Sequence, residues 1–278
     1  MIKKAIIPVA GWGTRRLPIT KIIEKSMLPV GNRPLVDYSV QELIHAGVTD
    51  IYMVISNVEP CQVKSFYRDN LALNQYLIDR GKSDRLELAR TLPENVKIHY
   101  VTQDPAGKYG TAVPIAMVVE EYNINEPVLV FMGDDFIWNP EGESASESLL
   151  QAVQNDEESA ILGVEVDPKQ VDKYGVLSVE DSYLTGIVEK PEVDAAPSNL
   201  VNVSKYIMSP KLLQEIVEYV NTNDFGPMDQ EYLVTDPIDT YLKHGGTMRV
   251  APTTGEFLDG GSVEGWLHAN NVVCGYQG

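Results

Sequence analysis

The stretch PVAGWGTRRLPITKIIEKSMLP, residues 8–29, decides how the rest of the chain is read. An apolar run, AIIPVA, ends in a glycine-spaced turn carrying Thr14, Arg15 and Arg16, with Lys21 and Lys25 following. Glycines at 11 and 13 let the backbone turn sharply and bare its N–H groups to an anion, while the cations supply the charge a polyphosphate needs. Through Lys25, six Lys or Arg stand against one acidic residue, a net of +5, so the remaining 253 residues carry −23. A basic turn in so acidic a chain points to local anion chemistry rather than to a generally adhesive surface. A P-loop is excluded, because no Gly-Lys-Ser/Thr closes the motif, and a dinucleotide fingerprint lacks its third glycine.

Immediately downstream, Pro34 sits where a first helical residue would, and Val36, Val40, Leu43 and Ile44 form one apolar helical face that Gly47 ends. Residues 49–55, TDIYMVI, read as a buried strand. Strand, helix, strand predicts a right-handed βαβ unit and a parallel sheet. The glycine turn then lies at the carboxyl edge of the first strand, where open α/β sheets bind ligands. Residues 60–92 read as two short polar helices about Gly81, 96–101 as a strand leading into Gln103, and 111–121 as a helix. VLVFM, residues 128–132, is a continuous apolar run of the kind found in strands buried on both faces.

The second half reads as strands at 160–166, 175–179, 184–189 and 200–208, then a helix at 210–220. A further helix is expected to begin near Asp236-Pro237, with Asp236 as its cap, before the strand TMRVAP and a terminal helix. No repeat or flexible linker divides the chain. The expectation is a single α/β domain with a mostly parallel central sheet, the later strands forming a smaller β-rich lobe over its ligand edge. A net charge of −18 argues against nucleic acid or an anionic membrane as partner, and no apolar stretch approaches a membrane span. Cys61 and Cys274 have no metal spacing and read as buried thiols of a reducing compartment, which makes the cytoplasm the expected location.

Paired aspartates directly after a buried strand, Asp134 and Asp135, need a partner for their charge. Near a basic loop that partner is a divalent cation at Asp134; the ordinary alternative, a turn cap, is kept for Asp135. Asp259 in FLDGGS is a second acidic candidate beside two glycines. Pro191 stops the strand LTGIVEKP, so Glu189 and Lys190 project from its end, a carboxylate suited to sugar hydroxyls and an ammonium suited to a phosphate.

Together these pieces resemble the sugar-1-phosphate nucleotidyltransferases, and among them the bacterial uridylyltransferases. The resemblance rests on AGWGTRRLPITK with the lysine of EKSMLP, Gln103 followed by GKYGTA, MGDD, KYGVL, GIVEKP with APSNL, EYLVTDPID and FLDGGSVEGWLHAN. The segment RGKSDRLELARTLPENVKIHYVTQ is similar to an element the shorter thymidylyltransferases lack. Two places depart from the family pattern. Glu24-Lys25-Ser26-Met27 stands for the usual Pro-Lys-Glu-Met, and Lys108-Tyr109-Gly110-Thr111 for Gly-Leu-Gly-His.

The resemblance implies a Rossmann-like, glycosyltransferase-A-type domain over 1–278, with a nucleotide-binding half at 1–135 and a sugar-binding half with a C-terminal helix at 136–278. It implies transfer of a uridylyl group from UTP to α-glucose-1-phosphate with Mg²⁺, giving UDP-glucose and pyrophosphate, by a homo-oligomer. Ala10, Gly11, Gln103 and Gly110 would hold the base. Gly13, Thr14 and Arg15 would wrap the triphosphate, with Lys25 on its phosphates. Asp134 and Asp259 would hold Mg²⁺; Gly175 and Glu189 would position the sugar, with Asn199 close by; Lys190 would hold the sugar phosphate. Arg15, Lys25 and Lys190 are thereby the expected catalytic cations. The alternatives are a thymidylyl- or cytidylyltransferase, a non-catalytic nucleotide-sugar-binding regulator, and a glycosyltransferase.

Overall fold

The structure, a computed structural model, describes residues 2–57, 60–225 and 230–276. The chain runs β1 (Lys4–Pro8), β2 (Pro29–Val30), β3 (Arg33–Pro34), α1 (Leu35–His45), β4 (Asp50–Ser56), α2 (Gln62–Tyr67), α3 (Leu71–Asp79) and α4 (Leu86–Ala89). β5 (Lys97–Gln103), α5 (Ala112–Tyr122), β6 (Val128–Phe131), β7 (Asp135–Trp138), α6 (Ala145–Ala152) and β8 (Ser159–Glu165) follow. Then come β9 (Gly175–Glu180), β10 (Tyr183–Glu189), β11 (Leu200–Met208), α7 (Pro210–Thr222) and α8 (Thr235–Lys243). The last elements are β12 (Met248–Thr253), β13 (Glu256–Asp259) and α9 (Val263–Tyr276).

Nine strands form one sheet in the order β5-β4-β1-β6-β11-β8-β12-β10-β9. The βαβ expectation holds for β5, β4, β1 and β6, which are parallel. β11 then enters antiparallel between β6 and β8, β12 lies parallel to β8, and β10 and β9 finish the sheet antiparallel. The fold is α/β, with a mixed sheet whose continuous parallel run belongs to the first half. The later strands extend this sheet instead of standing over it, because β11 satisfies the edge that β6 would otherwise leave unpaired.

Period-2 alternation sends the strand side chains into two cores. Ile6, Val54, Val128 and Val130 pack with α5, α7 and α8 on one face. Ala5, Ile7, Met53, Leu129 and Phe131 pack with α1 and α6 on the other. β6 is buried along its whole length, as its unbroken apolar run predicts.

Several local expectations shift. Pro34 ends β3 and caps α1 instead of opening it. The 60–92 segment forms three short α-helices and a 3-10 turn, with Gly81 at φ +66° just after α3. α8 begins at Thr235, so Asp236 is inside its first turn and does not cap it. The Asp236 carboxylate is already engaged by the Tyr219 hydroxyl at 2.6 Å, and Thr111 Oγ1 takes the Val234 N–H at 2.9 Å. Cys61 is buried as expected, whereas Cys274 is exposed. Among the described residues no helix is long and apolar enough to cross a membrane.

Outside the main sheet, β7 and β13 form an antiparallel ribbon that sets Asp259 opposite Asp135. Phe136 and Leu258 of the ribbon bury against Leu35, Ala269 and Val273, so α9 clamps the ribbon to α1. Trp266 Nε1 donates to the Pro29 carbonyl at 2.7 Å and fixes the helix from its other side.

Candidate active site

A cleft of about 730 Å³ opens at the carboxyl ends of β1, β5 and β6. Its lining brings together Ala10, Gly11, Gly13, Thr14, Arg15, Lys25, Gln103, Gly110 and Asp134, all of them singled out in the sequence. Gly13 has φ +64°, and a Cβ there would stand 2.9 Å from that of Lys25, so both the turn and the lysine stem require glycine. Gly110, at φ +128°, packs its α-carbon against the Tyr232 backbone, which a Cβ would meet at 2.4 Å. Gln103 Nε2 donates to the Lys108 carbonyl at 3.1 Å, which fixes the amide and leaves its oxygen as an acceptor for a ligand N–H. Lys108 itself donates to the carbonyls of Val220 and Asn223 at the end of α7, the latter at 2.9 Å; it is a helix C-cap cation, not a cleft cation.

The centre of the cleft is electrostatic. Lys25 Nζ forms an ion pair with Asp134 Oδ2, with side-chain exposures of 25% and 26%. Burial pushes the Asp134 carboxyl up, but Lys25, with Arg16 and Lys205 further off, holds it below the usual carboxylate range. Burial raises Asp259, and Asp134 adds to the rise; the Gly261 N–H, 2.6 Å from its Oδ1, opposes it, as do Lys25 and Arg16. Mg²⁺ takes one or two protein carboxylates and completes its octahedron with phosphate oxygens and water. Asp134 and Asp259 supply that number, and the Gly260 N–H bonded to the Asp134 carbonyl at 2.9 Å ties their two loops together. No group of three or more ligating side chains occurs among the described residues.

Asp135 is no turn cap. It opens β7 and is paired with Lys205, which is fully buried, and burial pushes its carboxyl up to about 7. Lys205 is the charged residue of LVNVSKYIM and lies in its buried second half, and a lysine in a buried strand is itself a sign of an acidic partner. In the sequence Arg16 shows only as one more charge of the basic turn. It is 1% exposed and donates through Nη1 to the Lys25 carbonyl at 3.3 Å. Its Nε and Nη2 meet no hydrogen-bonding group among the described residues. Burial draws its guanidinium below the ordinary value, against the pull of Asp134 and Asp259.

Two buried donors without partners cost more than a distant attraction to half-buried carboxylates returns. Arg16→Met is therefore expected to leave the fold equally stable or to raise its stability by about 1–2 kcal/mol in urea unfolding. A loss beyond about 1 kcal/mol would mean that the guanidinium is fully satisfied.

The sugar-side candidates form a separate group that does not line this cleft. Gly175 and Glu189 are opposite one another on β9 and β10, and a Cβ at Gly175 would stand 3.1 Å from the Glu189 carboxylate. Lys190, at φ +45°, donates its N–H to the Tyr174 carbonyl at 3.0 Å. The Asn199 carbonyl accepts from Val166 at 3.0 Å. Tyr174 connects this group to the cleft, since its ring packs on Phe257 of the ribbon and its hydroxyl feels the Asp259 charge. Of the departures from the family pattern, Glu24 is turned away from the cleft. Its carboxylate accepts from the Gln62 N–H while its own N–H donates to Gln62 Oε1 at 2.8 Å. Ser26 is buried at 2% exposure, and its hydroxyl meets no partner among the described residues.

The profile of the nucleotidyl transferase family matches residues 4–274, and the chain belongs to that family. Among its relatives, the UTP–glucose-1-phosphate uridylyltransferase of Pseudomonas aeruginosa is 30% identical over 98% of this chain and 95% of its own. That of Mycoplasma pneumoniae is 31% identical over 97% and 91%. A UTP-bound UGPase from Acinetobacter baumannii superposes with a TM-score of 0.86 at 30% identity, covering 98% of this chain and 93% of the other. A UDP-glucose pyrophosphorylase complexed with UDP-glucose gives 0.80 at 28% identity, over 99% and 100%.

Proposed function

We propose that the chain transfers a uridylyl group from UTP to α-glucose-1-phosphate, releasing pyrophosphate and leaving UDP-glucose. The observation that carries this reading is the convergence of the glycine turn, Arg15, Lys25, Gln103, Gly110 and Asp134 on one cleft. In the reaction a phosphate oxygen of glucose-1-phosphate attacks the α-phosphorus of UTP in line, and the bond to the β,γ-pyrophosphate breaks. The attacking oxygen is already anionic at neutral pH, so no protein nucleophile or base is required.

The chain's task is to position two anions and offset their repulsion. Ala10, Gly11, Gln103 and Gly110 bind the base. Gly13, Thr14 and Arg15 wrap the triphosphate, and Lys25 neutralises charge on it. Glu189 and Gly175 hold the glucose, with Asn199 beside them, and Lys190 binds its phosphate. Asp134 and Asp259 would hold Mg²⁺, which when bound supplies charge neutralisation at the phosphates. On this reading 1–135 is the nucleotide half and 136–278 the sugar half of a cytoplasmic homo-oligomer. The exposed Leu71, Leu73, Tyr76 and Ile78 of α3 offer apolar surface for self-association, which light scattering would detect.

The test is pyrophosphate release with glucose-1-phosphate and each nucleoside triphosphate in turn. UTP is expected to be preferred. Preference for dTTP or CTP would move the chain to a sister activity. UDP-glucose binding without turnover in either direction would make it a regulator.

A further inference from the structure

The ion pair at the centre of the cleft occupies the very carboxylate that a divalent cation needs. Lys25 Nζ sits on Asp134 Oδ2, and both side chains are about three-quarters buried. A metal ion and an ammonium cannot share that oxygen without strong repulsion in a partly desolvated site. The second carboxylate, Asp259, already accepts the Gly261 N–H. A free cation therefore meets one seat that is taken and a donor set that is incomplete.

We propose that Lys25 is the resident occupant of the cation seat at Asp134, and that a divalent cation takes this seat only as the lysine leaves for the nucleotide's phosphates. The inference rests on the reading of the cleft as a metal–triphosphate site. The local geometry suits a side-chain swing over a fixed backbone. The Lys25 carbonyl is held by Arg16, and Lys25–Met27 form a tight helical turn. Gly13 leaves room for the lysine stem, and the ammonium lies 3.8 Å from where a Cβ of Gly11 would stand, against the turn that walls the cleft. A triphosphate bound at that turn offers Lys25 a second anionic partner and brings the metal the oxygens it lacks. Arg16, buried behind, stays as the fixed cation throughout. Metal and nucleotide then strengthen each other's binding, and by linkage the effect is reciprocal.

The test titrates Mn²⁺ alone, followed by its electron paramagnetic resonance, against the native chain and two neutral variants, Lys25→Met and Lys25→Gln. Both are expected to bind Mn²⁺ roughly tenfold more tightly than the native chain, the equivalent of one partly buried ion pair. Adding Asp134→Asn to either should remove the gain. The proposal is overturned if both folded variants bind Mn²⁺ no better than the native chain, or if the gain survives Asp134→Asn. No turnover is involved, so an inactive chain showing the Mn²⁺ gain would sink the uridylyl reading and leave this one standing.

Discussion

Replacing Asp134 by Asn is expected to lower turnover by about a hundred- to a thousandfold, the cost of losing one electrostatic contact made chiefly in the transition state, about 2.7–4 kcal/mol. The substitution keeps the side chain's size. It also leaves untouched the backbone bond from the Gly260 N–H to the Asp134 carbonyl, so the loops that meet at the site stay joined. What it removes is a largely buried negative charge that Lys25 holds in the ionised state. The concentration of Mg²⁺ needed for half-maximal activity should rise at saturating UTP and glucose-1-phosphate. Lys25→Ala should also slow turnover but not raise the metal requirement, because with nucleotide bound the ammonium has already left the carboxylate. A Mg²⁺ titration of both variants, with thermal melting to check the fold, separates the two. Near-normal turnover and metal dependence in Asp134→Asn would reduce Asp134 to a turn residue and move the cation to Asp259.

The second large effect is on stability. Lys205→Met is expected to cost about 3–5 kcal/mol in urea unfolding at pH 8, because it strands a carboxylate whose partner is gone. Lys205 is fully buried, pairs with the Asp135 carboxylate and donates to the Asp135 carbonyl at 3.3 Å. It also lies over the Phe131 ring, 5.1 Å from its centroid. A second acid depends on it: burial raises Glu42, and Lys205 draws it back.

Asp135 in the native fold already titrates well above its ordinary value, up to about 7, and without the lysine it would rise further. A carboxyl raised in the folded state favours folding at low pH and loses that advantage as pH climbs through the folded value, so the variant's deficit should grow from pH 6 to pH 8. Adding Asp135→Asn should restore much of the loss, since two neutral groups leave no stranded charge. If Lys205→Met alone proves harmless at pH 8, the pair is not what holds β7 to β11.

Much of this was legible in the chain. The apolar runs that became β1, β4 and β6 read as strands because nothing polar interrupts a strand buried on both faces. The glycine turn and Asp134 could be placed together because each follows such a strand, and Lys25 joined them as a cation of the same basic stretch and by resemblance to the family's lysine. What stayed hidden was pairing across distance. Nothing local in LVNVSKYIM says that it slots between strands beginning at 128 and 159, or that its lysine meets an aspartate 70 residues earlier. β7 and β13, at four residues each, are too short to show a period, so Asp135 read as a turn residue. The start of α8 is not legible locally, because Asp-Pro is a good opening in isolation, while the tyrosine that takes up that carboxylate comes from another helix.

The ribbon of β7 and β13 works as a ruler. Asp259 stands opposite Asp135 because strand pairing counts residues, and that count has no tolerance: a slip of one residue turns every side chain to the opposite face. The nine-stranded sheet does not include the ribbon, so it would not register the slip. One residue inserted between Thr253 and Glu256 is absorbed by a loop. The same residue inserted within 256–259 is expected to turn Leu258 out of the core it shares with Phe136, Ala269 and Val273 as well as to move Asp259 from its place opposite Asp135, so it should lower the melting temperature. The placement of Asp259 is thus a matter of spacing as much as of composition, enforced over a stretch four residues long.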